Sequence, residues 1–247
     1  MKAMILAAGR GERMRPLTDH LPKPLLTVGG KPLIVWHIER LARAGIRDIV
    51  INHAWLCEKI EAALGDGSGL GVRIAYSAEG EALETAGGIA RAMPLLTGPG
   101  QGGSARPAPE PFLVISGDTF CDYDYGRAWT IAVQMRHAAL ACWCVMVANP
   151  VHHPEGDFTL AAARLGAPSG TGKPPARLTY AGIGIYTPAM FAAVAPGKSP
   201  LRPWLEREIA AGRAAGEYHR GSWFDIGTAE RLAEVNRLVA TTMGQRQ

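Results

Sequence analysis

The sequence predicts an α/β protein with three layers (α/β/α), in which helices cover both faces of a mostly parallel, mixed central sheet. Short apolar segments rich in β-branched residues alternate with segments of helical periodicity, which is typical of this class. Hydrophobic residues make up 47% of the chain and charged residues 19%, as in globular proteins. At 247 residues the chain is long enough to bury a large core, and we expect one domain over residues 1–247.

The alternation begins at the N-terminus and predicts the order β-α-β-α-β-α-β. In the helix predicted over about 32–44, Leu33, His37 and Leu41 share one face, whereas Glu39 and Arg40 lie on the other. Ligands bind outside the carboxyl ends of the strands in sheets of this kind. The seven segments are MILAA, LIVWHIERLARAG, DIVINHA, WLCEKIEAALG, VRIAYS, GGIARAMPLL and FLVISGD.

The second half of the chain is less regular. Residues 97–111 are rich in Gly and Pro and are predicted to be a flexible surface insertion within the single domain. A hairpin or lid loop is expected at 166–175, between TLAAARL and RLTYAGIGIYT. Helices are then expected at about 188–194 and 201–211, a short strand near EYHRGSWFDIG, and a last helix from Thr228.

The charge and cysteine content exclude several classes of protein. The net charge is +4, but the 26 Lys and Arg residues are scattered without a basic run, so nucleic acid is not an expected partner. No segment resembles a signal peptide or is apolar enough to span a bilayer, so no membrane partner is expected. The four cysteines show no CxxC pair and are expected to be free, mostly buried thiols. These features predict a cytoplasmic protein.

The first predicted strand leads into a polar loop that is suited to a triphosphate. Gly9 and Gly11 have no Cβ, so successive backbone N–H groups in this loop can approach an anion closely. Arg13 would add positive charge to this array, and so would Arg10 or Arg15.

Two glycine-rich stretches start like known nucleotide-binding motifs and then depart from them. In GRGERM, Met14 stands where the dinucleotide-binding fingerprint needs its third glycine, which argues against a dehydrogenase. In GTGK at 170–173, Pro174 stands where a P-loop needs a Ser or Thr for Mg²⁺. We therefore predict that GTGK belongs to a flexible loop.

Lys23 lies between Pro22 and Pro24, and the two prolines are expected to hold its backbone extended. In that conformation its ammonium would be directed back toward the anion held by the glycine loop. The alternative for these three residues alone is an exposed lysine in a proline-rich turn. The nearby glycine loop favours the anion-binding interpretation.

Two aspartates from distant segments are each placed at the end of an apolar strand. Asp118 ends FLVISGD, and Asp225 follows SWF and precedes a helix that Thr228 would cap. Two such carboxylates are suited to one hard cation that prefers oxygen ligands, although each aspartate alone is also typical of a turn or a helix cap. Asp122 and Asp124 are given structural roles, with Asp122 or Asp124 capping the helix that begins near Tyr125.

The chain resembles a known enzyme family over nearly its whole length. LAAGRGERMRPLT followed by PKPLLTVGGKPLI is similar to the opening signature of the sugar-phosphate nucleotidylyltransferases, LAAGxGxRxxPLT followed by PKP. Further segments resemble the branch of that family that transfers uridylyl groups to N-acetylmuramate 1-phosphate in bacterial cell-wall recycling. These segments are VINHAW, YSAEGEALETAGGIARAMPLL, GDTFCDYDY, NPVHHPEGDF, LTYAGIGIYTPAMF and WFDIGTAERL.

The resemblance implies a Rossmann-like nucleotidyltransferase fold and a reaction. In that reaction UMP is transferred from UTP to N-acetylmuramate 1-phosphate with Mg²⁺ as cofactor, giving UDP-N-acetylmuramate and pyrophosphate. The enzyme would be a monomer. Lys23 would neutralise charge on the transferred α-phosphate, and Arg13 would bind the outgoing phosphates. The resemblance also implies that Asp118 and Asp225 are the metal ligands.

The remaining site residues also follow from the resemblance. Asp157 and Ser116 would bind the sugar, and Ser116 stands where related sequences carry Asn. The alternative is therefore a uridylyl-, thymidylyl- or guanylyltransferase that acts on another hexose 1-phosphate. A second alternative is a nucleotide-sugar sensor without turnover, which the presence of Lys23 and both metal-site aspartates disfavours. Zinc is not expected, because adjacent histidines in HH at 152–153 point to opposite sides of an extended chain. The residues implied to bind the nucleotide are Ala8, Gly9, Gly11, Glu12, Arg13, Lys23, Glu79, Thr85 and Gly88.

Overall fold

The computed structural model describes residues 1–98, 110–166 and 176–244. Most of the predicted insertion at 97–111, most of the loop at 166–175 and the GTGK stretch lie outside these residues. Among the described helices, none is both long enough and apolar enough to cross a membrane.

Helices and strands alternate along the first half of the described chain, as the apolar pattern predicts. The strands are β1 (Ala3–Leu6), β2 (Thr27–Val28), β3 (Lys31–Pro32), β4 (Asp48–His53), β5 (Arg73–Ala78), β6 (Phe112–Ser116), β7 (Thr119–Cys121), β8 (Cys142–Val147), β9 (Phe158–Ala161), β10 (Arg164–Gly166), β11 (Arg177–Tyr186), β12 (Ala214–Tyr218) and β13 (Trp223–Asp225). The α-helices are α1 (Leu17–His20), α2 (Leu33–Arg43), α3 (Cys57–Leu64), α4 (Glu84–Thr97), α5 (Arg127–His137), α6 (Arg202–Ala210) and α7 (Ala229–Gly244).

Nine of these strands form one mixed sheet in the order β5-β4-β1-β6-β11-β8-β12-β10-β9. The first four of them are parallel, so their carboxyl ends meet at the same edge. β11 is antiparallel to both of its neighbours in this order, β6 and β8, whereas β8 and β12 pair in parallel. The parallel part predicted by the βαβ alternation is confirmed, and antiparallel pairs enter in the less regular second half.

Apolar cores cover both faces of this sheet. On β1, Ile5 belongs to the core with α2, α3 and α5, whereas its neighbour Met4 belongs to the core with α4 and α6. This division follows from the alternation of side chains along a strand. A third, smaller cluster packs α7 against the region of β2, through Val235, Val239 and Val28. The three-layer α/β/α prediction is therefore confirmed.

Some local predictions differ from the structure. Lys23 is not extended, because Lys23–Leu25 forms a 3₁₀ turn directly after the extended Pro22. The helix expected at 188–194 is a 3₁₀ turn over Pro188–Phe191. The cap predicted for the last helix is confirmed, since the Thr228 hydroxyl accepts a hydrogen bond from the N–H of Arg231 at 3.3 Å.

His37 joins α2 to the segment that follows Asp118. It is buried, and its Nε2 lies 2.8 Å from the carbonyl oxygen of Thr119, while its Nδ1 lies 2.8 Å from the hydroxyl of Tyr125. A carbonyl oxygen only accepts, so Nε2 carries the hydrogen and Nδ1 accepts from Tyr125. Burial lowers the pKa of His37 to about 4, which keeps the ring neutral at pH 7.

We expect His37 to make the protein less stable in mild acid. The unfolded chain takes up a proton near pH 6.5, whereas the folded chain does so only at the lowered pKa of about 4. The contribution of neutral His37 to the free energy of unfolding is therefore fully present above pH 6.5. It is lost as the pH falls from 6.5 toward 4, and the loss is about 2 kcal/mol at pH 5. Denaturant unfolding at pH 7.5 and pH 5 measures this loss.

His37→Gln tests this assignment, and His137→Gln is its matched control because His137 is exposed. His37→Gln should lower stability at pH 7.5 and remove most of the acid-dependent loss. The exposed-site variant should keep the wild-type difference between the two pH values. An unchanged difference in His37→Gln would show that another group is responsible.

Candidate active site

Two adjoining cavities open at the edge where the parallel strands end. The first has a volume of about 520 Å³ and lies against the loop after β1. The second has a volume of about 470 Å³ and lies against β11 and the start of α6. Leu6, Thr85, Ser116 and Asp118 line both, so the cavities meet at the end of β6.

Most of the residues predicted to bind a ligand line these two cavities. The first cavity contains predicted residues from four segments, and the second contains the predicted sugar and metal residues. Those lining the first are Ala8, Gly9, Gly11, Glu12, Arg13, Lys23, Thr85, Ser116 and Asp118. Those lining the second are Thr85, Ser116, Asp118, Asp157 and Asp225.

The loop after β1 is shaped by Gly11, which has a φ of +70°. A Cβ there would lie 3.0 Å from a methyl group of Thr18, so glycine is required by both the backbone and the packing. The Thr18 hydroxyl donates to the carbonyl oxygen of Gly11 at 2.8 Å, which closes the loop. A Cβ at Gly9 would meet no described atom within 4 Å, so this part of the backbone is open to a ligand.

The three arginines of this segment have different environments. Arg10 and Arg15 both pair with Asp19, at 3.2 and 2.7 Å, and Arg10 also stacks on the ring of Trp55. Arg13 is exposed and lines the first cavity. Of the three candidate cations, Arg13 is therefore the one placed to meet an anion.

Lys23 and Asp118 form an ion pair at the junction of the cavities. The ammonium Nζ of Lys23 lies 2.6 Å from Oδ2 of Asp118. The lysine side chain is 10% exposed and the aspartate side chain is 42% exposed. A nearly buried lysine needs such a partner, and the exposed carboxylate faces the site from the other side of the pair.

Asp225 lies beside Asp118 because β13 pairs with β7. Asp225 is opposite Thr119 in that ladder, and the N–H of Ile226 donates to the carbonyl oxygen of Asp118 at 2.9 Å. Oδ2 of Asp225 accepts from Arg231 at 2.5 Å and lies 3.2 Å from Nε2 of His152. The structure thus brings together the two aspartates that the sequence places 107 positions apart.

This donor set suits a hard divalent cation that keeps part of its shell for water and substrate oxygens. Within the described ranges there is no cluster of three or more His, Cys, Asp or Glu side chains that would enclose a metal ion. Mg²⁺ is commonly held by one or two carboxylates together with substrate phosphates. His152 and His153 lie near different carboxylates, Asp225 and Asp157, so they are not arranged as a shared zinc site.

Glu79 and Gly88 lie behind the wall of the first cavity. Glu79 is buried, and its carboxylate accepts from the side-chain amide of Asn52 at 2.6 Å and from the N–H of Leu83 at 2.8 Å. A Cβ at Gly88 would lie 2.5 Å from Oε1 of Glu79, so glycine permits this contact. The two residues hold Asn52 and the 79–83 turn in place. A direct contact of Glu79 with a base stays a prediction.

Asn52 is a lining residue that the sequence analysis missed. It is buried at the carboxyl end of β4, and its Oδ1 accepts from the N–H of Ala7 at 2.9 Å while its amide donates to Glu79. Asn52 therefore fixes the start of the glycine loop relative to β4. Its place at the end of a predicted parallel strand was the available signal.

The predicted sugar residues line the second cavity in different ways. Ser116 ends β6 and packs closely on Gly182 of β11, where a Cβ would lie 2.6 Å from the serine hydroxyl oxygen. Asp157 accepts from the N–H of Tyr180 at 2.9 Å through Oδ2, and its Oδ1 lies 3.3 Å from both Arg202 and His153. Arg202 and His152 also line this cavity and were not among the predicted site residues.

The geometry therefore combines a backbone cradle, a buried lysine and two neighbouring carboxylates. Comparison with known proteins places the chain in a family. A family model for nucleotidyl transferases matches residues 2–242.

The chain belongs to the nucleotidyl transferase family.

Two relatives agree with membership of the nucleotidyl transferase family, and a solved structure has the same fold. The chain is 50% identical over 244 residues to the N-acetylmuramate alpha-1-phosphate uridylyltransferase of Neisseria meningitidis serogroup B, covering 96% of this chain and 98% of that one. It is 35% identical to the enzyme of the same name from Caulobacter vibrioides, covering 96% of each. A Bacillus anthracis protein crystallised with sucrose has the same fold, with a TM-score of 0.80 at 21% identity over 96% of this chain and 94% of that one.

We expect Glu79→Gln to weaken nucleotide binding because it disturbs the contacts of Glu79 with Asn52 and Leu83. The glutamine amide has one acceptor oxygen, whereas the carboxylate has two. Either the Asn52 amide or the N–H of Leu83 therefore faces the NH₂ group of the glutamine, which is also a donor. The cost should be about 1–3 kcal/mol of stability, and the Kd for the nucleoside triphosphate should rise by roughly tenfold. Calorimetric titration and thermal unfolding measure the two effects.

Glu81→Gln is the matched control, because the Glu81 side chain is 85% exposed and pairs only loosely with Lys198 at 3.6 Å. This variant should bind nucleotide and unfold as the wild type does. Equal behaviour of the two variants would mean that the buried Glu79–Asn52 contact does not shape the nucleotide pocket.

Proposed function

We propose that this protein transfers UMP from UTP to N-acetylmuramate α-1-phosphate, giving UDP-N-acetylmuramate and pyrophosphate. The observation that carries the proposal is the meeting of two cavities at the Lys23–Asp118 ion pair, at 2.6 Å. One cavity has the backbone cradle for a triphosphate, and the other has room for a sugar. The names of the 50% and 35% identical relatives support the choice of substrates.

In the proposed reaction an oxygen of the sugar 1-phosphate attacks the α-phosphorus of UTP. The bond from that phosphorus to the bridging oxygen of the β-phosphate breaks, and pyrophosphate leaves. No covalent enzyme intermediate is needed, so catalysis consists of alignment and charge stabilisation. The loop at 9–13 would hold the outgoing phosphates with Arg13, while Lys23 would stabilise charge on the transferred phosphoryl group.

Mg²⁺ is part of the proposal, and Asp118 and Asp225 would hold it. When bound, the ion would neutralise negative charge on the phosphate oxygens. The chain's own contribution is to keep the two carboxylates next to each other, with Asp118 directly before β7 and Asp225 at the end of the paired strand β13, so that both line the second cavity. Lys23 and Arg231 form ion pairs with Asp118 and Asp225, respectively.

A different hexose 1-phosphate is the second candidate substrate. Ser116 lies at the junction of the cavities, and its hydroxyl forms fewer hydrogen bonds than the asparagine expected from related sequences. The test is pyrophosphate release with UTP and a panel of N-acetylmuramate, N-acetylglucosamine, glucose and mannose 1-phosphates. Release of pyrophosphate with N-acetylmuramate 1-phosphate supports the proposal. Release only with another sugar 1-phosphate would show that the proposed sugar substrate is wrong.

We expect Lys23→Ala to lower kcat for pyrophosphate release by about 100-fold or more, because the lysine acts mainly on charge that develops in the transition state. The Kd for UTP should change much less. Lys31→Ala is the matched control, since Lys31 is also ion-paired, with Glu39 at 2.6 Å, and lies outside both cavities. Equal losses in kcat and in UTP affinity would assign Lys23 to ground-state binding instead.

We expect a chelator to stop pyrophosphate release and Asp225→Asn to raise the Mg²⁺ concentration needed for half-maximal release by about tenfold or more. The amide removes a negative charge but keeps the shape of the side chain. Direct Mn²⁺ binding, followed by electron paramagnetic resonance, should weaken in parallel. Asp124→Asn is the control, because Asp124 accepts from the N–H of Gly126 at 2.8 Å, a bond that asparagine can also make.

A cytoplasmic location and a monomeric state are further parts of the proposal. All four cysteines are free thiols, and Cys121, Cys142 and Cys144 are buried, which supports a reducing compartment. Size-exclusion chromatography with light scattering measures the oligomeric state directly.

A further inference from the structure

The second cavity has one strong cation on its described wall. Arg202, the first residue of α6, is the single Lys or Arg among the described residues that line it. Its side chain is 48% exposed, and it lines the second cavity rather than the first. The mechanism proposed for phosphoryl transfer gives this arginine no task.

Arg202 is held in a defined orientation at the cavity wall. Its Nη1 donates to Oδ1 of Asp157 at 3.3 Å, and its guanidinium carbon lies 5.2 Å from the ring centre of the buried Phe158. Asp157 is itself fixed by the N–H of Tyr180 at 2.9 Å. Asp157 therefore both orients Arg202 and lines the cavity.

The guanidinium keeps donors for a ligand. Of its five N–H groups, the bonds within the described chain use three: to Asp157 Oδ1 at 3.3 Å, to the Asp157 carbonyl at 3.4 Å and to Glu206 at 3.1 Å. The Glu206 pair is between half-exposed side chains one helical turn apart, a type of pair that contributes little to stability. A ligand carboxylate can replace Glu206 at small cost.

We propose that Arg202 forms a carboxylate-binding subsite for the sugar substrate, and that it recognises the lactyl ether of N-acetylmuramate 1-phosphate. This inference rests on the proposed function. The substrate carries two anions at different positions of its ring, the 1-phosphate and the lactyl carboxylate. The phosphate belongs at the junction with Lys23, so the carboxylate needs a second cation within the same cavity.

Arginine suits this task because its planar fork matches the two oxygens of a carboxylate. The subsite also explains how the enzyme distinguishes this sugar from N-acetylglucosamine 1-phosphate, which lacks the lactyl group. When N-acetylglucosamine 1-phosphate binds, Arg202 stays paired with Glu206 and forms no ion pair with the sugar. Arg202 is thus a specificity-determining residue rather than part of the phosphoryl-transfer machinery.

The test compares kcat/KM of wild type and Arg202→Gln for the two sugars. For N-acetylmuramate 1-phosphate the variant should lose about 10- to 100-fold, mainly through KM, as expected for a charged hydrogen-bonded pair. For N-acetylglucosamine 1-phosphate it should change little. Arg220→Gln is the matched control, because Arg220 is exposed, contacts the Tyr218 ring and lies outside both cavities.

Two further comparisons separate recognition from a structural effect. With the methyl ester of the lactyl group, wild type and Arg202→Gln should perform equally, because the charge on the substrate has been removed. Glu206→Gln should raise kcat/KM for the acid, because the competing carboxylate is gone. Equal losses of Arg202→Gln on both sugars, or equal wild-type activity on acid and ester, would overturn the subsite.

The outcome for the subsite is distinguishable from that for the proposed function. If the wild type releases no pyrophosphate with N-acetylmuramate 1-phosphate but does so with another sugar, the proposed substrate is wrong and the subsite is wrong with it. If the wild type uses the muramate compound and Arg202→Gln has no selective effect, the proposed function stands and only the subsite is wrong.

Discussion

The ion pair between Lys23 and Asp118 is the interaction on which the site depends. It joins two segments 95 residues apart across the edge of the sheet, with an Nζ–Oδ2 distance of 2.6 Å. Because the lysine is nearly buried, removal of Asp118 would leave its charge in a poorly solvated place, whereas Asp118 itself is 42% exposed. The same pair marks the point where the two cavities meet. The substrates of a transfer reaction must be brought together at such a point.

Buried polar contacts behind the cavities keep this arrangement in register. His37 bonds the carbonyl of Thr119, next to Asp118, and Asn52 bonds both the glycine loop and Glu79. Each of these groups is buried, so each bond is needed to offset the loss of water. His37 and Glu79 do not line either cavity, and Asn52 lines only the first, yet together they set the relative positions of the loop, the lysine and the aspartates. A nucleotidyl transferase that aligns its substrates without covalent catalysis depends on such positioning.

The second half of the chain supplies most of the wall of the second cavity through elements that are less regular in sequence. β11 enters the sheet antiparallel to β6, and α6 begins beside it with Arg202 at the cavity wall. Asp157, predicted to contact the sugar, is also engaged with Arg202 and with the backbone of β11. Asp157 can contact the sugar and orient Arg202 at the same time, because a carboxylate has two oxygens with several acceptor positions.

Sequence patterns by themselves determined the α/β class and the parallel strands of the first half. They also determined the glycine loop and the candidate residues Lys23, Asp118 and Asp225. Both kinds of inference are possible because periodicity and local motifs are properties of neighbouring positions. Only the tertiary structure showed why Arg10 and Arg15 are not placed like Arg13, which the family resemblance implies: both pair with Asp19, and Arg10 also stacks on Trp55. It also placed Glu79 behind Asn52 and brought Arg202 to the second cavity. Side-chain partners distant in the chain leave no local periodic signal, so packing alone selects them.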